Sequence, residues 1–354
     1  MSEKVLMKGN EALAEAAIRA GCHHFFGYPI TPQTELAAYM AKKLPKIGGT
    51  YLQAESEIAA INMVQGAGAA GIRAMTSSSS PGISLKSEGI SYMAGADVPG
   101  LIINVQRGGP GLGGIQPSQA DYWQATRAMG HGDFHILVFA PSTVQEMVDL
   151  VGVAFDLSDA YRVPAMILAD GMLGQMMEPV SFKEEGEKPL PEKPWALTGH
   201  RGKREHNVIN SLFLQADELE AKIAERFERY DRIKEKECRF AVFMAEDAEI
   251  LVVAYGATAR VVQAAVKEAR AEGIKVGCFR PITLWPFPSA ELRRRAETVK
   301  AFLTVEMSRG QMIDDVKLAI ECSRPVEFFG RTGGVIPEPD EILAKIREIA
   351  GGAV

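Results

Sequence analysis

Strand-like runs that are apolar from end to end, each followed by a helical pattern, constrain this fold more than any other feature. LIINV within residues 100–105 and ILVVAYG at 250–256 are such runs, and residues 135–139 and 165–168 supply two more. A strand that is apolar on both sides must be covered on both sides, which points to a parallel sheet with helices on both faces. Shorter strand patterns at 24–26, 49–53 and 72–76 precede helical patterns at 33–43, from Ser56 onward and at about 83–94. Asn10 is placed to cap a first helix running to about Arg19, and another helix is expected from about Thr143 to Asp159. This alternation predicts an α/β class with a parallel-sheet first domain.

The character changes after Met177. EKPLPEKPW, residues 187–195, is rich in Pro and charge and reads as extended, and residues 216–237 form a heavily charged helix of the solvated or partner-facing kind. Strand and helix patterns resume at Glu249 and continue to a closing helix at 338–349. The expected organisation is a first domain over 1–182, a linker with a charged helix over 183–245, and a smaller α/β domain over 246–354.

Charge and cysteine usage exclude several functions. The net charge of −6 gives no basis for nucleic acid or polybasic membrane contact, and no run approaches a membrane span. Cys22, Cys238, Cys278 and Cys322 are far apart, with no CxxC, so an iron–sulfur cluster or zinc knuckle held by this chain is not expected. Such scatter fits a reducing cytosol, and the N-terminus, MSEKVLMKGNEALAEAA, has no apolar core of a signal peptide. A cytoplasmic location follows as the expectation.

In open parallel sheets ligands collect beyond the carboxyl ends of the strands. Thr31, Glu57, residues 77–80 and Arg107 all fall at or just after such ends. YLQAESEIAAINMVQGAGAAG, residues 51–71, turns from strand to helix at Ser56 and is dominated by Ala and Gly, which allows close approach of a backbone or a flat ligand. Glu57 lies inside it, either as a partnered functional acid or as an acid favoured in a first helical turn. SSSSPG at 77–82 either cradles a phosphate or caps a helix. Arg107 opens the glycine loop QRGGPGLGGIQPSQ at 106–119, where it either clamps a carboxylate or bonds loop carbonyls. His23, His24, His131 and His135 lack ligand spacing and read as structural.

GYPITP (27–32), QAESEIAA with its Gly/Ala continuation, QRGGPG, and VEMSRGQM with GRTGG resemble the alpha subunit of thiamine-diphosphate-dependent 2-oxoacid:ferredoxin oxidoreductases. The likeness covers nearly the whole chain and is greatest to the branched-chain, 2-oxoisovalerate type. The resemblance implies a first domain that binds the aminopyrimidine half of thiamine diphosphate, followed by a transketolase C-terminal-like domain. It implies Mg²⁺ and the diphosphate site on a beta subunit, [4Fe-4S] clusters on partner subunits, and gamma and ferredoxin-like subunits in the assembly. The reaction it implies is coenzyme A-dependent oxidative decarboxylation of a 2-oxoacid, with electrons passed to ferredoxin.

By the same resemblance Glu57 matches the acid that hydrogen-bonds the pyrimidine N1′, with Glu55 the nearby competitor facing away. Pro29 and Thr31 of GYPITP stand beside the cofactor, Thr31 also beside the reacting carbon. Arg107 matches the partner of the substrate carboxylate. Relatives that accept 2-oxoglutarate or a broad range often have Ser-Thr where Gly111-Leu112 stand and Pro-Thr where Ile115-Gln116 stand; Leu112 and Ile115 offer no hydroxyls, which favours an aliphatic substrate side chain. A 2-oxoglutarate-specific subunit, another thiamine-dependent assembly without ferredoxin, and a non-catalytic scaffold subunit are the alternative expectations.

Overall fold

The computed structural model describes residues 4–127, 129–182 and 190–352. The expected boundary after residue 182 and the first residues of the 187–195 segment lie outside them.

The chain begins with β1 (Val5–Lys8), α1 (Gly9–Arg19), β2 (His24–Gly27), α2 (Thr34–Lys43), β3 (Thr50–Gln53), α3 (Glu57–Ala69), β4 (Ala74–Ser78), α4 (Ser80–Gly95) and β5 (Leu101–Gln106). It continues through α5 (Tyr122–Thr126), β6 (Leu137–Phe139), α6 (Val144–Tyr161), β7 (Ala165–Asp170), α7 (Gly171–Gln175) and β8 (Met177–Val180). Then come α8 (Ala216–Lys236), β9 (Phe240–Phe243), β10 (Ile250–Val253), α9 (Thr258–Ala271), β11 (Val276–Pro281) and β12 (Thr283–Trp285). The chain ends with α10 (Ser289–Ala296), β13 (Ala301–Glu306), α11 (Met312–Ala319), β14 (Val326–Gly330) and α12 (Pro339–Gly351).

Among the described residues the first sheet has the order β12-β6-β7-β5-β4-β2-β3. Its strands pair in parallel except for β12, which runs antiparallel to β6. Every residue of β4, β5 and β7 is buried, as strands covered on both faces require. The second sheet, β14-β13-β10-β11-β9, is parallel apart from β9. The Ser56 hydroxyl accepts a hydrogen bond from the Ala59 amide at 3.2 Å and caps α3; Thr143 caps α6 in the same way.

Three expectations are corrected. Asn10 does not cap α1, because β1 runs directly into the helix at Gly9. Instead Asn10 is buried and its Nδ2 donates to the Pro32 carbonyl (2.7 Å) and Glu35 Oε2 (2.9 Å), tying α1 to the loop after β2. Residues 273–288 read from the sequence as a strand and then a Pro-rich loop, but β12 lies within that loop, leaves the second half and completes the edge of the first sheet. The charged helix α8 is not wholly solvated. Arg226, Tyr230 and Ile233 are buried, and Arg226 and Arg229 both pair with Asp97.

The small residues of α3 and α4 let the two helices nearly touch. A Cβ on Gly89 of α4 would stand 2.4 Å from Ile61 Cγ2, and one on Gly68 of α3 would stand 2.5 Å from the Pro99 carbonyl oxygen. This close approach carries the N-terminus of α3, with Glu57, onto the N-terminus of α4.

Candidate active site

The loops after β2, β3, β4 and β5 converge beyond the carboxyl ends of their strands, and hydrogen bonds lock them together. Ser77 Oγ donates to Gln33 Oε1 at 2.5 Å, joining β4 to the loop that carries Thr31. Ser80 Oγ donates to Asp121 Oδ2 at 2.6 Å and accepts from the Arg107 amide at 3.1 Å, joining α4 to the glycine loop. Burial pushes the Asp121 carboxyl up, while Ser80 and Asn104 hold it down. The start of α4 is satisfied by Asn104, whose side-chain oxygen accepts from the Ser80 amide. Ser77 and Ser80 of SSSSPG are thus used internally and brace the neighbouring loops, whereas Ser78 and Ser79 Oγ are buried without partners among the described residues.

Glu57 is 6% exposed, whereas Glu55 faces solvent. Among the described residues the Glu57 carboxylate has no hydrogen-bond donor. It rests on the bare backbone of Gly82, where a Cβ would lie 2.8 Å from Glu57 Oε1 and 2.1 Å from Ser78 Oγ. Ser78 Oγ is itself buried without a partner. An acid with little water and no donor is set for a ligand that brings one.

Arg107 is 7% exposed at the end of β5. Its Nη1 donates to the Thr31 carbonyl at 3.0 Å, with Thr31 Oγ1 at 3.5 Å, and its Nη2 donates to the Leu112 carbonyl at 3.2 Å. Arg107 thus bonds loop carbonyls, as the structural alternative expects, yet its Nε is buried with no acceptor. Arg107, Thr31 and the Leu112 backbone are brought together; the Leu112 side chain is 85% exposed and Pro29 is exposed. Ile115 lines an open cleft of about 410 Å³ with Thr31, Met172 and Ile336. His135 is structural, stacked on Trp285 at 4.6 Å, and burial pushes it down to about 4. Among the described residues no group of His, Cys, Asp and Glu is arranged to hold a metal.

Residues 15–236 match the family described as pyruvate flavodoxin/ferredoxin oxidoreductase, thiamine diphosphate-binding, and residues 248–342 match pyruvate:ferredoxin oxidoreductase core domain II. The chain belongs to the 2-oxoacid:ferredoxin oxidoreductase family. It is 51% identical to ketoisovalerate oxidoreductase subunit VorB of Methanothermobacter marburgensis over 98% of both chains. It is 38% identical to 2-oxoglutarate synthase subunit KorA of the same organism, over 98% of this chain and 99% of that one. A solved 2-oxoglutarate:ferredoxin oxidoreductase from Magnetococcus marinus, with 2-oxoglutarate, coenzyme A and succinyl-CoA bound, superposes with a TM-score of 0.84 at 28% identity. That match covers 98% of this chain and 65% of the other.

The first domain of this oxidoreductase subunit is therefore a thiamine-diphosphate-binding domain, and its donor set fits such a group. A carboxylate without a donor lies on bare backbone, and Ser78 Oγ and Arg107 Nε are both without partners. No helix among the described residues is long and apolar enough to cross a membrane. The sequence reading missed Asp121 and Lys86. Asp121 carries no local signal. Lys86 stands four residues after Gly82 and three before Gly89, on the face of α4 turned to α3, and that spacing marks it as inward.

Proposed function

We propose that this chain is the alpha subunit of a branched-chain 2-oxoacid:ferredoxin oxidoreductase, which converts a 2-oxoacid such as 2-oxoisovalerate to acyl-coenzyme A and CO₂ and passes the electrons to ferredoxin. It contributes the pyrimidine half of the cofactor site. The beta subunit carries the diphosphate and Mg²⁺, and partner subunits, the gamma and ferredoxin-like chains among them, carry [4Fe-4S] clusters in a cytoplasmic assembly. The observation that carries the reading is Glu57, a buried carboxylate without a donor, facing Gly82 at the meeting of α3 and α4.

Thiamine diphosphate, when bound, supplies the electron sink that a 2-oxoacid needs to lose CO₂. Glu57 holds and moves a proton at the pyrimidine N1′, and its dry surroundings strengthen that bond. Arg107, with Nε free, receives the carboxylate common to all 2-oxoacids. Thr31, whose hydroxyl stands 3.5 Å from Arg107 Nη1, would be the hydroxyl beside the reacting carbon. Pro29 shapes the loop against the cofactor. Leu112 and Ile115 give the substrate side chain an apolar boundary. The higher identity to the ketoisovalerate enzyme than to the 2-oxoglutarate enzyme supports a branched-chain substrate.

The test is to produce the chain alone and with its partner subunits. Alone it is expected to be colourless and inactive; the assembly is expected to oxidise branched-chain 2-oxoacids. In the assembly, Glu57→Gln should slow exchange of the thiazolium C2 proton by roughly 10²–10⁴-fold without loss of subunits. Exchange at the wild-type rate in the Gln variant would show that Glu57 is misassigned.

A further inference from the structure

Asp121 stands just beyond the far end of the glycine loop that Arg107 opens, and the reaction above gives it no part. It occupies the N-cap position of α5, where an aspartate ordinarily accepts from the first helical amides. Its side chain makes no such bond. The carboxylate turns away from its own helix: Oδ2 accepts from Ser80 Oγ at 2.6 Å and from Asn104 Nδ2 at 2.9 Å. The Asp121 amide donates to Gln106 Oε1 at 3.2 Å, and the Asn104 side-chain oxygen accepts from the Ser80 amide at 3.2 Å. One acid therefore gathers the start of α4 and the last residues of β5.

The Ser80 hydroxyl lies between Asp121 and the backbone of Arg107. It has one proton and two acceptors within reach, Asp121 Oδ2 at 2.6 Å and the Arg107 carbonyl at 3.2 Å. A carboxylate at the shorter distance takes that proton. The hydroxyl oxygen is then turned to the Arg107 amide, which donates to it at 3.1 Å and fixes the root of the Arg107 side chain. The tip is fixed separately, by the Thr31 and Leu112 carbonyls. Without the carboxylate the hydroxyl proton is free to swing to the Arg107 carbonyl, and Asn104 loses the acceptor of its Nδ2.

We propose that Asp121 is a positioning residue: through Ser80 and Asn104 it fixes the backbone from which the Arg107 guanidinium reaches the carboxylate shared by all 2-oxoacids. This rests on the reading of Arg107 under the proposed function and adds to it a residue that touches neither substrate nor cofactor. Asp121 acts by geometry alone, and no proton leaves it or arrives. Such support matters because a binding group misplaced by about 1 Å can lower efficiency by about 10²-fold. Thr31 is braced by a separate bond, from Ser77 to Gln33, and Glu57 bonds neither Ser80, Asn104 nor Asp121. Loss of Asp121 should therefore reach the substrate through Arg107 and spare the proton chemistry at the cofactor.

The test uses the assembled, cofactor-saturated complex. Asp121→Ala, Asp121→Asn and Ser80→Ala are made, the first and last also in an Arg107→Ala background. For each, kcat and KM are measured on two branched-chain 2-oxoacids, together with exchange of the thiazolium C2 proton. Asp121→Ala should lower kcat/KM by about 10- to 100-fold, chiefly through KM and alike for both acids. Proton exchange should stay at the wild-type rate. Asp121→Asn keeps an oxygen for the two donors and should lose less. Ser80→Ala removes a single hydroxyl, should show the same pattern, and serves where Asp121→Ala does not assemble. In the Arg107→Ala background either change should lower kcat/KM by less than about twofold, because the group it positions is gone. An equal loss in both backgrounds would overturn the proposal, as would a fall in proton exchange that matches the fall in kcat/KM; both would leave Arg107 as the carboxylate partner. An Arg107→Ala complex with wild-type KM for both acids would overturn the reading of Arg107 and the role of Asp121 with it.

Discussion

The Arg107 guanidinium joins two kinds of work. Its two terminal nitrogens hold the Thr31 and Leu112 carbonyls, its Nε is buried without an acceptor, and in the proposed function the guanidinium also receives the substrate carboxylate. Arg107→Ala therefore removes a brace and a charge together. We expect kcat/KM to fall by about 2–5 kcal/mol in transition-state free energy, and equally for every 2-oxoacid, because all share the carboxylate. Leu112→Thr and Ile115→Thr should act on the other end of the substrate, shifting preference from 2-oxoisovalerate towards 2-oxoglutarate. Leu112 is so exposed that the isolated chain should keep its stability within about 0.5 kcal/mol. A panel of straight, branched and acidic 2-oxoacids separates these outcomes; equal losses for all substrates in Leu112→Thr would reduce that residue to a shaper of the loop. At this scale the sequence was legible where a residue type is unusual for its setting: an acid in a Gly/Ala helix, an arginine in a glycine loop. It was not legible for Lys86 or Asp121. A lysine in a helix reads as solvated until the helix it faces is known, and Asp121 acquires its role only when Ser80 arrives at the start of α4.

Between elements, the controlling contact is α3 against α4. Two glycines on one face of α4 have different neighbours, and the same substitution should fail in different ways. Gly89→Ala puts a methyl against the buried Ile61 and should destabilise the chain by about 1–3 kcal/mol, less any gain in helix propensity. Gly82→Ala puts a methyl into Ser78 Oγ and Glu57 Oε1 and should weaken cofactor binding more than it weakens the fold. Denaturation midpoints and thiamine diphosphate affinity of the assembled complex distinguish them. Equal effects of both variants on both measurements would argue against a separate structural and binding end of this interface. The elements themselves were largely readable, because fully apolar strands and capped helices are local signals. β1, β8 and β9 were missed because they are partly exposed strands outside the parallel layers: β1 and β8 pair only with each other and β9 is an antiparallel edge. β12 was missed because its pairing with β6 is decided by the other half of the molecule.

At the level of the whole chain, the two halves are not independent bodies joined by a linker. Gln119, fully buried after the arginine loop, donates Nε2 to the Tyr255 carbonyl at 2.8 Å and accepts at Oε1 from Thr258 (2.8 Å) and the Met307 amide (3.0 Å). Tyr122 donates its hydroxyl to Asp315 at 2.5 Å, and Gly334 of the GRTGG turn lies so close to Gln116 that a Cβ would meet it at 2.2 Å. The second half therefore holds the far side of the loop that carries Arg107. It also supplies β12, which covers the edge of β6 and brings Trp285 onto His135. A chain cut to residues 1–245, the division suggested by sequence, would leave β6 as an open edge and the Gln119 amide without its partners. Each such unpaired buried group costs about 1–3 kcal/mol, and an exposed strand edge invites aggregation. We expect the 1–245 fragment to be insoluble or to lack a cooperative thermal transition, and to be rescued by co-expression with residues 246–354. A soluble 1–245 fragment that melts as cooperatively as the full chain would mean that the first sheet closes without β12, and that the second half serves the arginine loop alone.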